Sequence, residues 1–198
     1  MSAALKRRVT PQEYLAAERL APFKSQYYKG EVFAMAGASA AHLQIASNIV
    51  RELSSRLGKG PCQPYFGDAR VGAAAIEMYS YPDVVVACDP IQIDERGNLQ
   101  NPKVIFEILS PSTETFDRTG KFDAYRALPS LMEYVLVSQN RPRVERFTRI
   151  PGEVPWKMAV FVGLDAALEL SALDVSIPLA DIYPVSYTHL TLPTICSV

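Results

Sequence analysis

The chain has 198 residues, 48% hydrophobic and 21% charged, with a net charge of −1, which fits one globular domain of ordinary size with a full core. That balance excludes a strongly basic nucleic-acid binder, but not an enzyme that meets DNA through a local basic surface and metal ions. No stretch reaches the roughly 18 apolar residues of a membrane span, and the start, Met1 to Arg8, has no apolar segment behind its charges. A chain without membrane contact, in the cytoplasm, is therefore expected.

Thr10-Pro11-Gln12-Glu13 is a capping box with proline at the first helical position, which predicts a short helix over 11–19. Gln26 to Ala36 reads as two short strands joined at Lys29-Gly30. Ser39 can cap a helix whose apolar residues Leu43, Ile45, Ala46, Ile49, Val50, Leu53 and Leu57 recur at helical spacing, and Gly58-Lys59-Gly60-Pro61 stops it. A strand is expected around 62–72, then a turn region over 73–81.

Two apolar runs follow, Pro82 to Cys88 and Lys103 to Leu109, with a loop rich in Asp, Gly and Asn between them. Ser110-Pro111-Ser112-Thr113 breaks the sheet, and Asp117 to Leu128 predicts a helix despite Gly120. Leu131–Ser138 and Arg143–Arg149 read as two more strands, and the remainder as β additions at one edge. Arg141, Arg143, Arg146 and Arg149 fit a charged, solvated edge strand better than a row of phosphate contacts. The cysteines Cys62, Cys88 and Cys196 have no paired spacing, which points to a reducing compartment and away from a C-x-x-C zinc site. Val185 to Thr194 resembles a translated sequencing adapter, so residues 185–198 are set aside as a non-native tail and one domain is expected over 1–184.

Chemistry is concentrated in the two apolar runs. Asp83 opens the first and Glu107 lies inside the second. An ionised carboxylate in a buried strand costs several kcal/mol unless it is paired or holds a cation. Cost alone leaves two explanations for Glu107, a metal site or an ion pair across the sheet. Asp83 could equally cap a turn. Lys121 could be an exposed partner of Asp117, and His42 a surface residue. Two strand carboxylates suit Mg²⁺, a hard cation that prefers oxygen ligands. Asp117, Lys121 and Tyr125 share one helix face, with Leu128 close to the same stripe.

The ordered series Tyr81-Pro82-Asp83, Phe106-Glu107-Ile108-Leu109-Ser110-Pro111-Ser112-Thr113, Asp117…Lys121…Tyr125 and Glu133-Tyr134-Val135-Leu136-Val137 resembles the Uma-type restriction-endonuclease family of the PD-(D/E)XK nuclease superfamily. Gly30-Glu31-Val32, Ala36 to Ser39 with His42, and Asp68-Ala69-Arg70-Val71 extend the resemblance over roughly 10–183. It implies an α/β, restriction-endonuclease-like fold with a central mixed β-sheet flanked by helices. It also implies Mg²⁺-dependent (or Mn²⁺-dependent) hydrolysis of DNA phosphodiesters, in a possible homodimer. Asp83 and Glu107 would hold the metal with Glu31 in support, Lys121 would orient or activate water, and His42, Asp117 and Tyr125 would surround them. The superfamily pattern places a lysine two residues after the second acid; here that position is Leu109, and the lysine has moved to position 121. Two rivals are a catalytically silent binding or regulatory module on this fold, and a metal-independent hydrolase using Asp83 and Glu107 as an acid–base pair.

Overall fold

A computed structural model of the chain describes residues 8–35, 37–150, 152 and 156–183. The set-aside tail, 185–198, lies outside the described residues. Local signals place the first elements. Helix α1 (Pro11–Glu18) begins with the capping box complete: the Thr10 hydroxyl accepts from the Glu13 N–H and the Glu13 carboxylate accepts from the Thr10 N–H. Strands β1 (Ser25–Tyr28) and β2 (Glu31–Ala34) pair antiparallel. Lys29 and Gly30 between them have φ of 47° and 88°, the left-handed pair that a tight two-residue hairpin turn requires and that glycine adopts at no steric cost. Helix α2 (Ala40–Leu57) starts where the Ser39 hydroxyl accepts from the His42 N–H. Its buried stripe is Ile45, Ile49 and Leu53, whereas Leu43 faces solvent.

The remaining strands are β3 (Cys62–Phe66), β4 (Val71–Ala73), β5 (Met78–Ser80), β6 (Val84–Cys88), β7 (Pro102–Leu109), β8 (Glu133–Ser138), β9 (Arg143–Thr148), β10 (Lys157–Val162), β11 (Ala167–Leu170) and β12 (Val175–Pro178). After β7 the chain runs through α3 (Glu114–Phe116), a π-helical stretch over Asp117–Lys121, and α4 (Phe122–Tyr125); α5 (Leu179–Ile182) follows β12. The central sheet has six strands in the order β10-β9-β8-β7-β6-β3. Only its β7–β8 pair is parallel, so the sheet is mixed, as expected. A four-stranded sheet in the order β2-β1-β5-β4 stands beside it.

Several sequence expectations need correction. Residues 62–72 form two strands in different sheets, and the expected turn region over 73–81 holds β5, buried because it is flanked by β1 and β4. Three residues are too few to carry a periodicity. At the chain's end, β10 does extend the central sheet, but β11 and β12 form a separate hairpin. Strand β9 is no edge: it lies between β8 and β10, and Arg149 donates to the carbonyls of Leu131 and Leu128 at 2.8 and 2.9 Å. Cys62 and Cys88, separated by 26 residues, face each other across β3 and β6 and form a disulfide. The antiparallel register creates that pair, which no sequence spacing announces. Among the described residues no helix is long and apolar enough to cross a membrane.

The central sheet has two buried faces. Val84, Val86, Val104 and Phe106 meet α2, the β11–β12 hairpin and α5 on one side. Val85, Ile105 and Leu109 meet Tyr125, Leu131 and Tyr134 on the other. The candidate residues Asp83, Glu107 and Lys121 sit on this second face.

Candidate functional site

Side chains alternate along a strand, so Asp83 falls on the face of Val85 and Ala87, and Glu107 on that of Ile105 and Leu109. The β6–β7 register pairs Val84 with Phe106 and Val85 with Ile105; one further step sets Asp83 directly opposite Glu107. Both carboxylates therefore leave the same face of the sheet. Asp83 is held from two sides. Its Oδ2 accepts the Ile108 N–H at 2.6 Å, and its Oδ1 lies 2.9 Å from His42 Nε2, presented by the first turn of α2. Leu109, where the superfamily lysine would stand, is packed into the core.

The lysine arrives from the helical segment after β7. Lys121 Nζ lies 2.9 Å from Glu107 Oε2 and 2.8 Å from Asp117 Oδ1, and the three side chains are 6, 2 and 2% exposed. The Asp117 contact is an ion pair without hydrogen-bond alignment. π-Helical turns inside α-helices are frequent at functional sites, and this one carries both members of the pair. Tyr134 donates its hydroxyl to the Asp117 carbonyl at 2.9 Å, tying the segment to β8. Gly120 has a steric reason to be there: a Cβ would sit 2.4 Å from the Phe116 ring. That ring packs edge-on against Tyr28 and beside Phe33, with centroids 5.2 and 6.0 Å away. The predicted face of Asp117, Lys121, Tyr125 and Leu128 is buried along its length.

Burial pushes the Glu107 carboxyl well above the ordinary glutamate value; Lys121 opposes this, while Asp117 and Asp83 add to it. Burial pulls Lys121 down, but Glu107 and Asp117 outweigh it and keep the ammonium charged. Tyr125 stays protonated through burial and the nearby Glu107 charge. Two carboxylates thus flank one ammonium with Asp83 close to Glu107, and Glu107 Oε1 is buried with no hydrogen-bond partner. An orphaned acidic oxygen in a cluster of excess negative charge fits a hard divalent cation. Asp83 and Glu107 are the residues that could hold one. Among the described residues no group of three or more His, Cys, Asp or Glu side chains is arranged as a metal site. Mg²⁺ needs only one or two carboxylates when water and substrate phosphates complete its shell.

The cluster opens into a cavity of about 660 Å³ bounded by Asp83, Glu107, Lys121 and Asp117. His42 and Ser39 form one wall, Phe33, Met35 and Phe116 another, and Ser112, Thr113 and Gln139 contribute polar groups. Glu31 does not join them. It is exposed at the start of β2 and does not line the cavity. Tyr125 lies behind the cluster, fully buried. Sequence reasoning missed Gln139, whose Oε1 accepts from the Ser39 hydroxyl at 3.0 Å. Its position just past β8, at the carboxyl ends of a parallel strand pair, is the signal that could have found it. Phe33 and Phe116 carried no such signal.

Over residues 11–180 the chain matches the model of the Uma2 family, described as putative restriction endonuclease. It is 34% identical over 169 residues to uncharacterized protein sll1609 of Synechocystis sp., spanning 84% of this chain and 95% of that one. It is 31% identical over 176 residues to uncharacterized protein slr1290 of the same organism, spanning 89% and 92%. Among solved structures it resembles a putative nuclease belonging to DUF820 from Anabaena variabilis, with a TM-score of 0.71 and 18% identity over 90% of this chain and 98% of that one.

Proposed function

The chain belongs to the Uma2 family, and from that premise we propose that it is a metal-dependent endonuclease that hydrolyses phosphodiester bonds in DNA. The observation that carries this reading is the facing of Asp83 and Glu107 across β6 and β7, with Lys121 against Glu107 and a cavity opening onto all of them. When bound between the two acids, Mg²⁺ or Mn²⁺ would supply Lewis acidity toward a phosphoryl oxygen. His42 and the Ile108 N–H fix the orientation of Asp83. Asp117 holds Lys121 against Glu107 and helps keep it protonated, which favours a role in orienting water and stabilising anionic charge over proton abstraction. Tyr125 supports the floor.

Purified full-length protein should nick or cut supercoiled and linear DNA in Mg²⁺ or Mn²⁺, and EDTA should stop it. Asp83→Asn and Lys121→Met should each abolish cleavage. Equal cutting by either variant would sink the site assignment. Failure of the wild type to cut any nucleic acid, with divalent cation still bound, would favour the silent-module reading. EDTA-resistant hydrolysis would favour the acid–base pair.

A further inference from the structure

A second cavity, of about 480 Å³, lies away from the acidic cluster, against the exposed flank of α1. Arg19 at the end of that helix, Arg70 just before β4, and Arg96 in the β6–β7 loop line it. Against these three guanidinium groups stands one carboxylate, Glu95. Among the described residues none of the three arginines has a carboxylate within ion-pair distance, while other arginines of the chain do. Arg70 is nonetheless held in place, by neutral acceptors alone: the Asn98 side chain, the Arg96 carbonyl at 3.1 Å and the Tyr81 hydroxyl at 3.2 Å. Asn98 is itself fixed by Asp94, which takes its backbone and side-chain N–H groups.

Arg70 thus feels the Asp94 and Glu18 carboxylates only through Asn98 and Tyr81, and its guanidinium, beside two others, makes no direct ion pair. Planar forked donors of this kind match phosphate oxygens. Tyr81 connects this pocket to the other. Its ring lines the acidic cavity, its hydroxyl accepts from Arg70 and donates to Glu18, and the Arg70 guanidinium lies 5.8 Å from the ring centroid. A strand whose scissile phosphate enters the acidic cavity could reach this pocket past Tyr81, over whose ring Lys24 also lies, at 5.4 Å. The walls of the acidic cavity contain no arginine, and its lysine is already committed to Glu107 and Asp117.

We propose that Arg19, Arg70 and Arg96 form a phosphate-binding site that holds a non-scissile backbone phosphate of the nucleic-acid substrate. This rests on the nuclease reading above and supplies the substrate grip that the acidic cavity lacks.

The test is the salt dependence of DNA binding by the full chain in EDTA, read by fluorescence anisotropy on a short duplex. The comparison is with an Arg19→Ala/Arg96→Ala double variant. Both side chains are exposed and carry no fold-stabilising contact among the described residues, so the variant should fold. At low salt its affinity should drop about tenfold or more, and the slope of log K against log salt should become shallower by about 0.9, the change expected for one lost phosphate contact. Arg19→Lys/Arg96→Lys should recover most of the slope. In Mg²⁺ the alanine variant should show a raised KM for DNA with kcat retained. An unchanged slope would overturn the proposal while leaving nuclease activity intact. If calorimetry finds inorganic phosphate bound by the wild type and lost in the variant, with the DNA slope unmoved, the site serves a free anion and the strand assignment is overturned. A slope that responds in a protein that cuts nothing would support this site and count against the nuclease reading.

Discussion

Glu107 and Glu133 are both buried glutamates in neighbouring strands of one sheet, yet they leave it on opposite faces. Glu133 pairs in register with Val104 and so points into the apolar layer under α2 and the β11–β12 hairpin. There its Oε1 accepts from the Ser171 N–H and hydroxyl at 3.2 and 2.9 Å, and Arg146 lies 3.7 Å away. Glu107 points to the other face, meets Lys121, and shares its surroundings with two further acids and an open cavity. Both acids are expensive to bury, so cost does not separate them. Each keeps one buried oxygen without a hydrogen-bond partner; access separates them, because the Glu107 oxygen stands beside space that a ligand can enter while Glu133 is sealed under Ser171 and Arg146.

Removing the cation from the Glu107 face should do the most damage. Lys121→Met leaves Glu107 and Asp117 buried without compensation. It should abolish cleavage and lower stability by about 3–5 kcal/mol in urea unfolding without divalent cation. An unfolding midpoint equal to wild type would mean that the two acids are solvated, and the contrast with Glu133 would collapse. Next comes pH. Both glutamates have folded values raised above the usual 4.5. An acid with a raised folded value binds its proton more tightly when folded, so its stability contribution is complete below about 4.5 and is lost as pH climbs through the folded value. Glu107 is raised further, so Glu107→Gln should flatten the decline in stability above pH 4.5 more than Glu133→Gln does. The limiting slope is about 1.4 kcal/mol per pH unit for one proton. Equal flattening would place the two acids in equivalent surroundings.

Gly120→Ala forces the Phe116 ring aside, and overpacking of that kind costs about 1–3 kcal/mol. Because Phe116 also walls the cavity, DNA cleavage should fall along with the midpoint of thermal unfolding. The smallest effect is expected on the sealed face. Glu133→Gln keeps an acceptor for Ser171 and should change stability by about 1 kcal/mol, with cleavage unaffected. Loss of cleavage there would show that the two faces are coupled.

What the sequence made legible follows from range. The capping box at Thr10, the turn at Lys29-Gly30 and the serine cap at Ser39 act over three or four residues, and each sits where the sequence places it. The two buried strands of the central sheet were legible from composition. What stayed hidden depends on distant partners: β5 owes its strand character to β1 and β4, and the Cys62–Cys88 bridge to a register. Within the site, the face of Asp117, Lys121 and Tyr125 was readable from spacing. The distance of Glu31 from the cavity was not, because it depends on how far β2 reaches past its turn. The criterion of an acid in an apolar strand would have selected Glu133 as readily as Glu107, since it sees burial but neither the sheet face nor the cavity.

The oversized turn at Asp117–Lys121 has a mechanical consequence. An α-helix interior gains from uniform hydrogen bonding and loses about 1 kcal/mol at a glycine. This segment gives up the first and contains the second, between two helical pieces of only three and four residues. Its order therefore comes from what it touches: the Glu107 carboxylate, the Tyr134 hydroxyl and the seat that Phe116 makes over Gly120. Lys121 rides on a part of the chain with little rigidity of its own, and the acid it faces is what keeps it in position.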